Sequence, residues 1–206
     1  MPRESKAARL KRMHHEYEEL CETIPEPKCA LNFTNPFELL VATVLSAQTT
    51  DKRVNMVTPV LFGRFPGPAD LQAADPEQVE DIIHSIGFHR TKTKNIIRLS
   101  HDLCERYDGT VPDSMEELTA LPGVGRKTAN VVLGNAFDKP GFPVDTHVIR
   151  VTGRLHWRSD WASPTPDPVA IEREITACFP PSEWTDLSHR LIMHGRTTCH
   201  ARKSNC

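Results

Sequence analysis

Apolar residues recur along this chain at intervals of three and four, broken by proline, glycine and capping residues, and nowhere with the strict alternation of a half-buried strand. Leu10, Met13, Tyr17, Leu20 and Ile24 predict an amphipathic helix over residues 4–24, stopped by Pro25 and Pro27. Asn35, Pro36 and Glu38 supply an N-cap, a first-position proline and a capping-box acid. The run Leu39 to Leu45 behind them is apolar nearly all round, which marks a buried central helix. Ser46 to Thr50 is polar, and Asp51 is placed to cap a helix from Lys52 to about Leu61 that Pro59 should kink or shorten. Two more helices follow, from Asp75 toward Gly87 and from Lys92 to Tyr107, the second with Ile96, Ile97, Leu99 and Leu103 inward and Gly109 as its stop. Ser114 to Glu117 is another capping box, and further helices begin near Asp145, Asp167 and Ser182. The pattern predicts an all-α protein.

The segment richest in chemistry is Leu121-Pro122-Gly123-Val124-Gly125-Arg126-Lys127-Thr128-Ala129. Pro122 stops one helix, the two glycines permit a tight turn, and an apolar helical run follows. A helix start presents backbone N–H groups at the positive end of the helix dipole, and the glycines leave room for an anion such as phosphate to approach. Arg126 and Lys127 add two cations, of which lysine can also act as a nucleophile. Glycine turns are common, and Gly-x-Gly alone would equally describe a helix corner with two solvated basic residues. Asp145 precedes a helical run, so capping that helix is its simplest role, and a capping carboxylate is also kept ionised and fixed in direction.

The full string is more specific. It resembles the helix-hairpin-helix motif of the DNA glycosylase superfamily, in which a Val-Asp-Thr-His segment carrying the catalytic aspartate follows. Val144-Asp145-Thr146-His147 stands there, with Asp145 eighteen positions after Lys127. Within that superfamily the chain is similar to the endonuclease III family from about Asn32 to Cys206. The resemblance implies a base-excision-repair glycosylase with abasic-site lyase activity that removes oxidised pyrimidines, with Lys127 and Asp145 catalytic. It implies that Leu121, Gly123, Gly125, Arg126, Thr128 and His147 bind DNA, and that Gln48, in Ser46-Ala47-Gln48, fills the gap left by an extruded nucleotide. Phe88, at a glycine turn beside Arg90, Lys92 and Lys94, stands where the family commonly has Gly-Leu-Tyr; it is a candidate wedge, or a ring packed under its own loop. The implied architecture is two helical lobes with a DNA-binding cleft between them: a six-helix bundle over 29–138, and a second lobe of 1–28 with 139–206. Lys127 and Asp145 are expected to face each other across that cleft.

Two cysteines alone, Cys199 and Cys206, would ordinarily be free thiols. In endonuclease III relatives this segment opens a four-cysteine set that binds a [4Fe-4S] cluster, and Cys199 and Cys206 match its first two members. The last two are missing, and the expectation is a chain cut short rather than a homologue that has lost the cluster. Arg190, Arg196, Arg202 and Lys203 around it would suit phosphate.

Charge modifies this picture only slightly. With 25 basic and 27 acidic residues the chain lacks the strongly basic balance common in nucleic-acid-binding domains, so local patches would have to carry binding. Six scattered cysteines do not make a disulfide scaffold, and there is neither a signal-peptide core nor an apolar run of about 20 residues to span a membrane. The expected setting is a cytoplasmic, monomeric protein acting on damaged double-stranded DNA. Two rivals remain: a monofunctional glycosylase, and a non-catalytic helix-hairpin-helix module. An adenine-specific enzyme of the first kind lacks the lysine.

Overall fold

The computed structural model describes residues 4–202. They form eleven α-helices and one 3-10 turn, with no β-sheet among the described residues. The chain divides into two compact units, residues 29–139 and residues 1–28 with 140–206.

In the unit of residues 29–139, helix α2 (Pro36–Leu45) is the centre, with Phe37 and every residue from Leu39 to Leu45 buried. Asn35 caps it, accepting from the Glu38 N–H at 3.0 Å. The Glu38 carboxylate reaches back to the Thr34 N–H at 2.6 Å, so the capping box closes one residue earlier than the sequence suggests. Helix α3 (Asp51–Arg64) is capped by Thr50 rather than Asp51 and continues through Pro59 without being shortened there. Pro59 lies on the exposed side, where the carbonyl it leaves without an N–H partner can meet water, so the proline is tolerated. Helices α4 (Pro68–Gln72), α5 (Pro76–Ile83) and α6 (His89–Tyr107) follow. Then come α7 (Met115–Thr119) and α8 (Arg126–Ala136), the latter packed on α2 and α7. The unit thus has seven helices where six are expected; the addition is the short α4, whose one buried residue is Leu71 and which packs on α6. Leu40, Leu45, Leu61, Ile83, Ile96, Leu99, Leu103 and Val132 share one core.

The other unit contains α1 (Lys6–Thr23), α9 (Thr146–Arg154), α10 (Pro168–Thr176) and α11 (Trp184–Thr197) around Met13, Val148, Val151, Trp157, Ile171 and Leu191. Tyr17 donates to the Glu183 carboxylate at 2.6 Å and accepts from Arg190 at 3.0 Å. Arg190 is buried and also donates to the Ile24 carbonyl at 3.1 Å, which ties α1 to α11. It is therefore a structural residue, not part of a phosphate-binding patch.

Candidate active site

The hairpin is pinned from below and open above. Leu121 is 3% exposed and Val124 is also buried, so two apolar side chains fix the turn to the core while the Val124 N–H donates to the Leu121 carbonyl at 3.2 Å. Only the main chain of Leu121 is left for a ligand to meet. Gly123 has φ +77, and a Cβ there would lie 3.0 Å from the Asn95 amide nitrogen, so both conformation and space demand glycine. Gly125 differs: its φ of −96 suits any residue, and a Cβ on it would meet nothing within 4 Å. The open space before Gly125 is room for a ligand rather than room for the protein.

Gly125 is also the N-cap of α8 and, as glycine, offers no side chain to the amides of the first turn. Such amides have no acceptor within their own helix and favour an anion. Arg126 and Lys127 are exposed at that start, and Thr128 is half-buried.

Asp145 caps α9. Its Oδ1 accepts from the N–H groups of His147 and Val148 at 2.8 and 2.9 Å, and its Oδ2 lies 3.1 Å from His147 Nδ1. The carboxylate is thus fixed in direction, yet its side chain remains 15% exposed. His147 is seated by Gly195 of α11, where a Cβ would come within 3.0 Å of the His147 Cβ. The close approach of α9 and α11 needs glycine at that point, a requirement visible only in three dimensions.

Gln48 and Phe88 are exposed on sharp turns, each in the left-handed region without being glycine, at φ 54 and φ 59. Phe88 is 67% exposed, so it is not packed under its own loop. Beneath the Gln48 turn is a residue that sequence reasoning missed as a buried group. Lys92 of α6 is 5% exposed and donates from Nζ to the Ala47 carbonyl at 2.7 Å, with Thr49 Oγ1 at 3.5 Å. Burial pushes its pKa below the ordinary lysine value. The signal was present: Lys92, Ile96, Leu99 and Leu103 follow the four-three-four spacing of the inward face.

Cys199 is 1% exposed, and its Sγ accepts from Arg154 at 3.1 Å. Among the described residues no three His, Cys, Asp or Glu side chains converge on a metal position, and Cys206 lies outside the described residues. A cubane cluster takes four protein ligands, so the described donor set does not fit one. No described helix is long and apolar enough to cross a membrane.

Comparison with known proteins bears on this arrangement. Residues 41–181 match the family described as HhH-GPD superfamily base excision DNA repair protein. An endonuclease III from Synechocystis sp. is 48% identical over 183 residues, covering 88% of this chain and 81% of the relative. Among solved structures, a non-covalent endonuclease III–DNA complex superposes with a TM-score of 0.91 at 41% identity, covering 96% of this chain and 90% of that one. A trapped endonuclease III–DNA covalent intermediate gives a TM-score of 0.88 at 42% identity, covering 95% and 91%.

Proposed function

The chain belongs to the HhH-GPD superfamily of base excision DNA repair proteins and, within it, to the endonuclease III family, and on that premise we propose how its own residues carry out glycosylase and lyase chemistry on damaged double-stranded DNA. It is a base-excision DNA glycosylase of a family in which lyase activity is characteristic. The observation that carries the residue assignment is the hairpin: an exposed lysine in the first turn of α8, two residues after a glycine whose front is open.

A base inside a duplex is out of reach, so the damaged nucleotide is turned out of the stack at a cost of a few kcal/mol that is smallest for a damaged base. The main chain of 121–125 and the start of α8, with Arg126 and Thr128, hold a phosphate and set register without reading sequence. Gln48 fills the vacated position and Phe88 wedges the neighbouring stack. Lys127 then attacks C1′ with its Nζ lone pair, and the glycosidic bond breaks with its electrons leaving on the base. The proton lost from Nζ passes to the departing base, and Asp145, while ionised, stabilises the positive charge growing on the sugar. Opening of the sugar ring gives a C1′=Nζ iminium, loss of a C2′ proton expels the 3′ phosphate, and water hydrolyses the iminium to free Lys127. His147 holds the Asp145 carboxylate through the Nδ1 contact. Oxidised pyrimidines are the proposed lesions.

The cluster reading rests on Cys199, a buried thiol beside Arg154. Anaerobic iron and sulfide reconstitution, followed by visible absorption in parent and Cys199→Ala, tests whether that thiol is a ligand.

The decisive experiment is borohydride trapping on a duplex with one abasic site. The parent is expected to form a covalent complex, and Lys127→Gln none while still binding the duplex. Trapping by the variant at parental yield would remove Lys127 from the nucleophile role and reopen the monofunctional reading.

A further inference from the structure

Lys92 is the least expected residue in the unit of 29–139. An ammonium on the inward face of α6 carries a desolvation cost that a methionine of similar length would not. What it gains is specific. Nζ reaches the Ala47 carbonyl just past the end of α2, at the negative end of the helix dipole. Gln48, the next residue, is in the left-handed region, a conformation that persists in a non-glycine residue only where neighbouring contacts fix it.

The same lysine touches the second turn. Its main-chain N–H donates to the carbonyl of Phe88 at 3.0 Å, the bond that opens α6 behind that left-handed residue. Arg53, in the first turn of α3, donates to the Ser85 carbonyl at 2.9 Å and so ties the segment after Gln48 to the segment before Phe88. Gly87 sits against this frame, where a Cβ would lie 3.9 Å from Thr49 Oγ1.

We propose that Lys92 is a positioning residue that locks the 46–50 turn onto the first turn of α6, so that Gln48 and Phe88 enter the DNA stack as one rigid pair. This rests on the stack-filling roles given above to those two side chains. Lys92 touches no substrate in this account; it acts through the Ala47 carbonyl and sets the angle at which Gln48 leaves the turn.

The test uses Lys92→Met in the full chain, with a duplex carrying thymine glycol next to 2-aminopurine. Single-turnover base release is expected to fall about tenfold or more, with loss of the 2-aminopurine fluorescence rise that reports unstacking. Cleavage of an abasic site in a single-stranded oligonucleotide, which has no stack to fill, is expected within about twofold of the parent. In a Gln48→Ala background the Lys92 change is expected to add less than about twofold, because the two act through one turn.

Parental base release by Lys92→Met, an equal loss on single strands, or full multiplication with Gln48→Ala would each overturn the clamp while leaving the role of Gln48 standing. A Gln48→Ala variant as fast as the parent would instead remove the stack-filling reading and the clamp with it. Should Lys92→Met not fold, Thr49→Val removes the second acceptor without touching the lysine. It is expected to show the same duplex-only deficit at about threefold, and parental release by it would overturn the clamp.

Discussion

Two kinds of sharp turn occur within residues 29–139, and they solve opposite problems. The 121–125 hairpin puts glycine at its left-handed position, Gly123, and hides its apolar anchors, Leu121 and Val124, in the core. The turns at 48 and 88 put glutamine and phenylalanine into the same backbone region and hold the side chains outward. A non-glycine residue there costs roughly 1–2 kcal/mol. Where the backbone itself is the proposed binding group, glycine removes both strain and obstruction. Where the side chain is the proposed tool, the strain is retained and neighbouring contacts, Lys92 foremost, hold it in place.

The sharpest way to break this contrast is inside the hairpin. Gly125→Ala meets no atom and no strain, so melting should stay within about 0.5 kcal/mol of the parent. Affinity for an abasic-site duplex should nevertheless fall about tenfold or more, as expected when an anion loses a close hydrogen bond to a backbone amide. Gly123→Ala has the opposite signature: strain at φ +77 and a Cβ 3.0 Å from Asn95 should cost about 1–3 kcal/mol of stability. Equal affinities for parent and Gly125→Ala, measured by fluorescence anisotropy, would mean that the open face is not a phosphate seat.

The role proposed for Asp145, like those proposed for Gln48 and Phe88, belongs to its side chain, but its structural duty can be separated from its chemistry. Asparagine caps a helix about as well as aspartate, so Asp145→Asn should melt near the parent, whereas Asp145→Ala should lose about 1 kcal/mol. Base release from intact damaged nucleotides should slow in both. If only the alanine variant is slow, the carboxylate is a cap and no more.

Much of this organisation is legible from residue order, because it depends on local chemistry. Asn35, Ser114 and Asp145 announce helix starts since a short polar side chain satisfies amides two or three residues on, and each caps the helix that follows it. The all-α class follows from periodicity, and the hairpin from its paired glycines. What failed to show depends on partners distant in sequence. Arg190 looks like a surface cation until Tyr17 and the Ile24 carbonyl are brought to it. Lys92 looks solvated until the Ala47 carbonyl arrives above it, even though its spacing already placed it on the inward face. Pro59 reads as a helix breaker only while its exposure is unknown. The left-handed states of Gln48 and Phe88 carry no compositional mark, because neither glutamine nor phenylalanine favours that backbone region.

The smallest effects decide whether strain at those turns is kept for function. Gln48→Gly and Phe88→Gly should each raise stability by about 0.5–1 kcal/mol, since glycine relieves the left-handed conformation and the exposed Phe88 ring gives up little burial. Both should slow base release. Asp108 is the control: it ends α6 at φ 51, exposed, with no part in the proposed chemistry. Asp108→Gly should also gain stability, by up to about 0.5 kcal/mol because aspartate tolerates this region better than most residues, while turnover stays parental. Urea melts paired with single-turnover base release check all three variants. Stability gained at 48 and 88 with catalysis intact would mean the strain there is incidental, and the distinction between the two kinds of turn would then be one of geometry alone.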